Sequence, residues 1–88
     1  MTKEQAKQIL QNSNLLRSDD RFRYMLLSRM QMDCEAYLQI EFPQRHLWGK
    51  TPQRQIEIMR ALWYYLPVAP EWLTIEQING YAEQMGVA

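Results

Sequence analysis

The sequence predicts an all-α fold, a small bundle of about four helices, and three observations carry that prediction. Apolar residues recur at helical spacing in four separate stretches. Residues suited to capping stand at the start of each stretch. No segment shows sustained apolar–polar alternation between turn dipeptides, so no sheet is expected. With 88 residues the chain has length for one domain, residues 1–88, organised around a single core. Three tryptophans, five tyrosines, two phenylalanines and six methionines supply that core, which leaves little room for a deep internal cavity.

The first helix is expected over 3–12, opened by a Thr2–Gln5 capping box and broken by Asn12-Ser13-Asn14. It offers only Ala6, Ile9 and Leu10 to a core, so it belongs at the periphery. The second runs over 19–39, with Ser18 as its start and Asp19 and Asp20 placed at the positive helix end. Phe22, Leu26, Leu27, Met30, Cys34, Tyr37 and Leu38 form a broad apolar arc on it, and Met25, Met32 and Ala36 form a separate stripe behind. Two apolar stripes predict contact on two sides, hence a central helix. The third is expected over 52–66, from a Thr51 cap and Pro52 at the first helical position to Pro67. Ile56, Ile58, Met59, Leu62, Trp63, Tyr65 and Leu66 share one half of its cylinder, and the second and third helices form the central pair. The fourth, over 75–85, starts at a Thr74–Gln77 capping box and stops at Gly86.

Two connections are too apolar to be solvated. Residues 40–51 contain Ile40, Phe42, Leu47 and Trp48, and this loop is expected to pack on the core. Pro70-Glu71-Trp72-Leu73 is expected to do the same, with Trp72 as its anchor.

Charge narrows the function classes. Ten basic and ten acidic residues cancel, which gives non-specific nucleic-acid attraction no support. The charges are segregated, with Arg45, Lys50, Arg54 and Arg60 against Glu57 alone in 43–60, and Glu71, Glu76 and Glu83 with no basic residue in 61–88. A single cysteine, the lack of a signal-peptide pattern and the lack of a long apolar run make the cytoplasm the expected location, with no membrane contact.

Cys34 and His46 are the one nucleophile–base pair to weigh. Cys34 falls within the apolar arc, where a cysteine behaves as a small hydrophobe, so no enzyme activity is expected. Ligand spacings for zinc or calcium are missing, as is a glycine-rich phosphate loop, so neither a metal nor a cofactor is expected. Arg23 also falls inside the arc, and Asp33 at its edge. Buried charges need partners, which points to internal ion pairing more than to binding, and Asp19 is spaced to pair with Arg23.

The leading candidate surface is Arg45, His46, Trp48, Lys50 and Arg54. Cations beside an indole suit phosphate contact with stacking, and they equally suit a protein hot spot. The plain alternative makes Leu47 and Trp48 core plugs and leaves the charges to solvate the loop. A secondary candidate is the Met25–Met32 stripe, because methionine faces adapt to partners, although packing against the first or fourth helix is the simpler expectation. Tyr64, on the polar side of the third helix, is a candidate self-association contact.

Several co-linear blocks, from Leu15-Leu16-Arg17-Ser18-Asp19-Asp20-Arg21-Phe22-Arg23-Tyr24-Met25-Leu26 through His46-Leu47-Trp48 to Pro70-Glu71-Trp72-Leu73-Thr74-Ile75-Glu76-Gln77-Ile78, carry a family resemblance. Together they resemble the large polyvalent-protein-associated domain family, the eleventh of that series. The resemblance implies a setting in phage and conjugative-element proteins and no catalytic residues. The expected function is therefore an accessory protein of a mobile genetic element that binds another protein, host- or element-encoded, as a monomer or homodimer. Weak nucleic-acid binding through Arg45–Arg54 is the alternative, and an enzyme built on Cys34 and His46 ranks last.

Overall fold

The computed structural model describes residues 1–39 and 47–87. They form four helices and no strand: α1 (Lys3–Asn12), α2 (Asp20–Tyr37), α3 (Pro52–Tyr65) and α4 (Ile75–Gln84).

Local chemistry accounts for nearly every boundary. Thr2 and Thr74 each close a reciprocal capping box with the glutamine three residues on, Gln5 and Gln77. The Thr51 hydroxyl accepts from the Arg54 amide, and Pro52 opens α3 where its missing N–H is harmless. The cap of α2 is Asp19, not Ser18, because the Asp19 carboxylate accepts from the Phe22 amide at 2.8 Å. A carboxylate there also meets the positive helix end. Two helices end in the same way. Asn14 at φ 60° and Gly86 at φ 77° take the left-handed position, and the next residues, Leu15 and Val87, donate back to the carbonyls of Leu10 and Ala82.

The hub is α3. Helices α1, α2 and α4 all pack on it, so the expected placement of α2 at the centre is corrected. Ile56, Ile58, Met59, Ala61 and Leu62 are buried around most of its circumference, which no amphipathic surface helix achieves. α1 is no marginal element either. It runs antiparallel along α3, with Lys3 near the Tyr65 carbonyl at one end and Ser13 bonded to Arg54 at the other. Ala6 and Leu10 are fully buried there, and the small Ala6 lets the two axes approach. α4 closes the bundle through Ile78 and Ala82, and Tyr81 reaches across to the Glu35 carboxylate.

Two further expectations are corrected. Leu73 anchors the Pro70–Leu73 turn in the core, and its carbonyl accepts from the Trp63 indole, while Trp72 is 44 % exposed. Phe22, assigned to the core arc, is 43 % exposed at the start of α2. Tyr64 is half-buried and sits edge-on to Trp63, 5.2 Å between ring centroids. No helix among the described residues is long and apolar enough to cross a membrane.

Candidate functional site

The site is built on the turn that delivers the chain into α3. Leu47 plugs the core, and the Lys50 amide closes the turn onto the Leu47 carbonyl at 3.0 Å. Two hydrogen bonds hold the turn against the bundle. The Trp48 amide donates to Asp33 of α2 at 3.2 Å, and the Gly49 amide donates to the Gln55 side chain of α3 at 2.8 Å. Gln55 is fully buried and spends its other end on the Met30 carbonyl, so one amide side chain joins the turn, α2 and α3. Gly49 is required by contact: a Cβ there would stand 2.7 Å from the Gln55 backbone nitrogen. Lys50 adopts φ 73°, the left-handed region that suits glycine or asparagine and strains lysine.

Held this way, Trp48 is half-buried and forms the wall between two grooves. One, of about 230 Å³, is lined by Phe22, Met25, Leu26, Arg29 and Trp48. The other, of about 410 Å³, is lined by Ser13, Trp48, Gly49, Lys50, Arg54 and Ile58. The two surfaces read separately from the sequence thus meet at one indole. Met25 is 62 % and Met32 67 % exposed, so the simpler expectation of burial against α1 or α4 is corrected. The reason is topological: α3 occupies the hub, and no helix among the described residues covers the outer side of α2.

Of the predicted residues, Trp48, Lys50 and Arg54 share the second groove, while Arg45 and His46 lie outside the described residues. The expected packing of the 40–51 loop on the core is met by Leu47 and in part by Trp48; Lys50 and Thr51 are exposed, and residues 40–46 likewise lie outside. Arg54 is already engaged, donating to the Ser13 hydroxyl at 3.0 Å and lying 3.7 Å from Glu57. Arg29, 69 % exposed at its side chain, has only a loose 4.0 Å approach to Asp33. With the guanidinium solvated and the approach this long, Arg29 is held weakly.

The buried charge of Arg23 has a structural role, as expected. Its guanidinium pairs with Asp20 at 2.8 Å, donates to the carbonyls of Leu15 and Ser18, and lies 5.5 Å from the Tyr65 ring centroid. The partner is Asp20 and not Asp19, since Asp19 is committed to capping. Cys34 is fully buried against the Met59 sulfur at 3.5 Å. Burial, with the nearby Asp33 and Glu35 charges, pushes its pKa up to about 12 against the relief of a Gln55 hydrogen bond. Such a thiol is neither ionised nor accessible at neutral pH. Among the described residues no three histidine, cysteine or carboxylate side chains converge as a metal-ligand set.

Gln55 is the residue sequence reasoning missed. Its signal was present: it lies three and four residues before Ile58 and Met59, a polar residue on the buried side of a helix. Gly49 carries no signal in the sequence, because nothing local shows that a helix backbone will press against it.

The fold and site define a small helical domain that presents an apolar seam and a cation-rimmed groove around one tryptophan. The model of large polyvalent protein-associated domain 11 matches residues 20–85, and the chain belongs to that family. Neither the curated proteins nor the solved structures yield a match. The matched region opens at the first residue of α2, so α1, packed along α3, precedes it.

Proposed function

We propose that this chain is a protein-binding module serving as an accessory of a mobile genetic element in the cytoplasm, and that it binds through the outer face of α2 and the Trp48 turn. The observation that carries the reading is the exposure of Met25 beside Trp48, and of Met32 two turns further along α2, on a face that no helix among the described residues covers. Scattered exposed apolar residues are ordinary, whereas a contiguous set next to a rigidly held tryptophan suits a hot spot. The turn is preorganised by a buried amide and a required glycine, so little ordering entropy is lost on binding. The setting rests on the family, whose description associates these domains with large polyvalent proteins, and on the phage and conjugative-element context the resemblance implies.

The test is affinity capture from cells that carry the element, with three baits: the natural chain, Trp48→Ala, and a Met25→Asp/Met32→Asp pair. Loss of the captured protein with both variant baits, at unchanged helical content, is the expected result. Equal capture by all three removes this face as the binding surface.

A further inference from the structure

We infer that the occupant of this face is an amphipathic α-helix of another protein, laid along α2 with a carboxylate opposite Arg29 and its acidic end toward Lys50 and Arg54. The inference rests on the protein-binding reading above and adds the chemistry of the partner.

The first argument is periodic. Phe22, Met25, Arg29 and Met32 follow one another at steps of three, four and three residues, the spacing of a seam between two helices. From Phe22 to Met32 the seam runs for about 15 Å, nearly three helical turns at 1.5 Å per residue. A partner helix repeats its own contacts with the same period, so it can stay in register along the whole seam. Trp48, its amide held by Asp33, lines a groove with Phe22, Met25 and Arg29 and gives the seam a wall.

The second argument is charge. Arg29 occupies a seam position, and its guanidinium is exposed and only loosely approached by Asp33. Asp33 spends its other carboxylate oxygen on the Trp48 amide at 3.2 Å. Lys50 and Arg54 rim the neighbouring groove, with Glu57 as the opposing carboxylate there. The face therefore projects positive potential and is complemented by acidic residues. A second copy fits poorly, because docking two seams together brings both copies' Arg21 and Arg29 into one interface. A carboxylate from a different protein satisfies Arg29 with a charge-assisted hydrogen bond.

Site-specific photocrosslinking on the full chain in its natural host cells tests this. A benzophenone side chain replaces Met32 in one variant and Met25 in another, with Glu83 on α4 as the distal control. The expected adducts fall on one partner segment that carries apolar residues three and four apart and an Asp or Glu within a turn of them. Arg29→Glu lowers their yield at least about tenfold. That variant is expected to keep its melting temperature, since the side chain is exposed. Adducts on an extended or basic protein segment, or on a second copy of the chain, overturn the inference while leaving protein binding at this face intact. Adducts on nucleic acid, or none above the Glu83 control at either position, overturn both.

Discussion

The two sides of α2 are made from the same kinds of residue and live in opposite surroundings. On the inner side Leu27, Met30 and Cys34 are fully buried against α3, and Cys34 touches Met59. On the outer side Phe22, Met25 and Met32 are apolar too, yet 43–67 % of each is exposed. The inner face is saturated with contacts and has its polar atoms matched, including the Met30 carbonyl held by Gln55. The outer face has an indole at its edge and an arginine in its middle. The difference teaches that hydrophobic character places a residue on a face, and only the neighbours decide whether that face is core or surface.

That contrast can be broken most forcefully from the inside. Leu27→Ala is expected to cost about 2–5 kcal/mol, because a fully buried leucine leaves a cavity that close-packed neighbours fill only in part. Urea denaturation reads this as a lower midpoint at unchanged slope. Met32→Ala, on the outer side, is expected to stay within about 0.5 kcal/mol of the natural chain. Similar losses from the two substitutions would show that the outer stripe is packed after all.

Gln55→Ala comes next. It strands the Gly49 amide and removes the second bond to the Met30 carbonyl, and an unpaired buried group costs about 1–3 kcal/mol. Amide exchange at Gly49 is expected to accelerate more than exchange in α4, because the turn loses its tether first. Uniform acceleration throughout the chain would mean that Gln55 supports the whole core and does not act chiefly on the turn.

Lys50→Gly changes the sign. Relief of the left-handed strain at φ 73° outweighs the extra freedom glycine gains when unfolded, so a net stabilisation of up to about 1 kcal/mol is expected. Partner capture is expected to weaken in the same variant, since the groove loses a cation. Lower stability would contradict the strain at Lys50, and undiminished capture would contradict its assignment to the site.

The effect smallest at neutral pH is the ionisation of Cys34, and its sign at high pH follows from linkage. Folding raises the thiol from its ordinary value of 9.0 to about 12, so the native state holds its proton longer than the unfolded chain does. This contribution is constant below about pH 9 and declines as pH rises from there toward 12. Cys34→Ala is expected to flatten that part of the stability profile. In native protein at neutral pH, Cys34 is expected to react with thiol reagents only as fast as the bundle opens.

Much of the fold was legible in the sequence because its signals are local. Capping boxes at Thr2 and Thr74, the Thr51-Pro52 start, and the stops at Asn14 and Gly86 each concern groups within a few residues of one another. The site was half legible. Trp48, Lys50, Arg54, Met25 and Met32 stood out by type, but nothing in their order along the chain shows that Trp48 lies against α2 beside Met25. The exchange of roles between Ser18 and Asp19, and between Trp72 and Leu73, follows from competition. Two residues can fill each post, and the winner depends on what the remaining chain presents.

By itself, then, the sequence determined four helices, their ends and the apolar side of each, since hydrogen bonding within a turn and the 3.6-residue period need no distant partner. The tertiary structure alone decided that α3 and not α2 is the hub, and that Gln55 clamps the Gly49 turn. It also decided that the second apolar stripe of α2 faces outward. Each of those is a question of which surfaces meet, and three helices sharing α3 leave α2 with one covered face and one that no helix among the described residues covers.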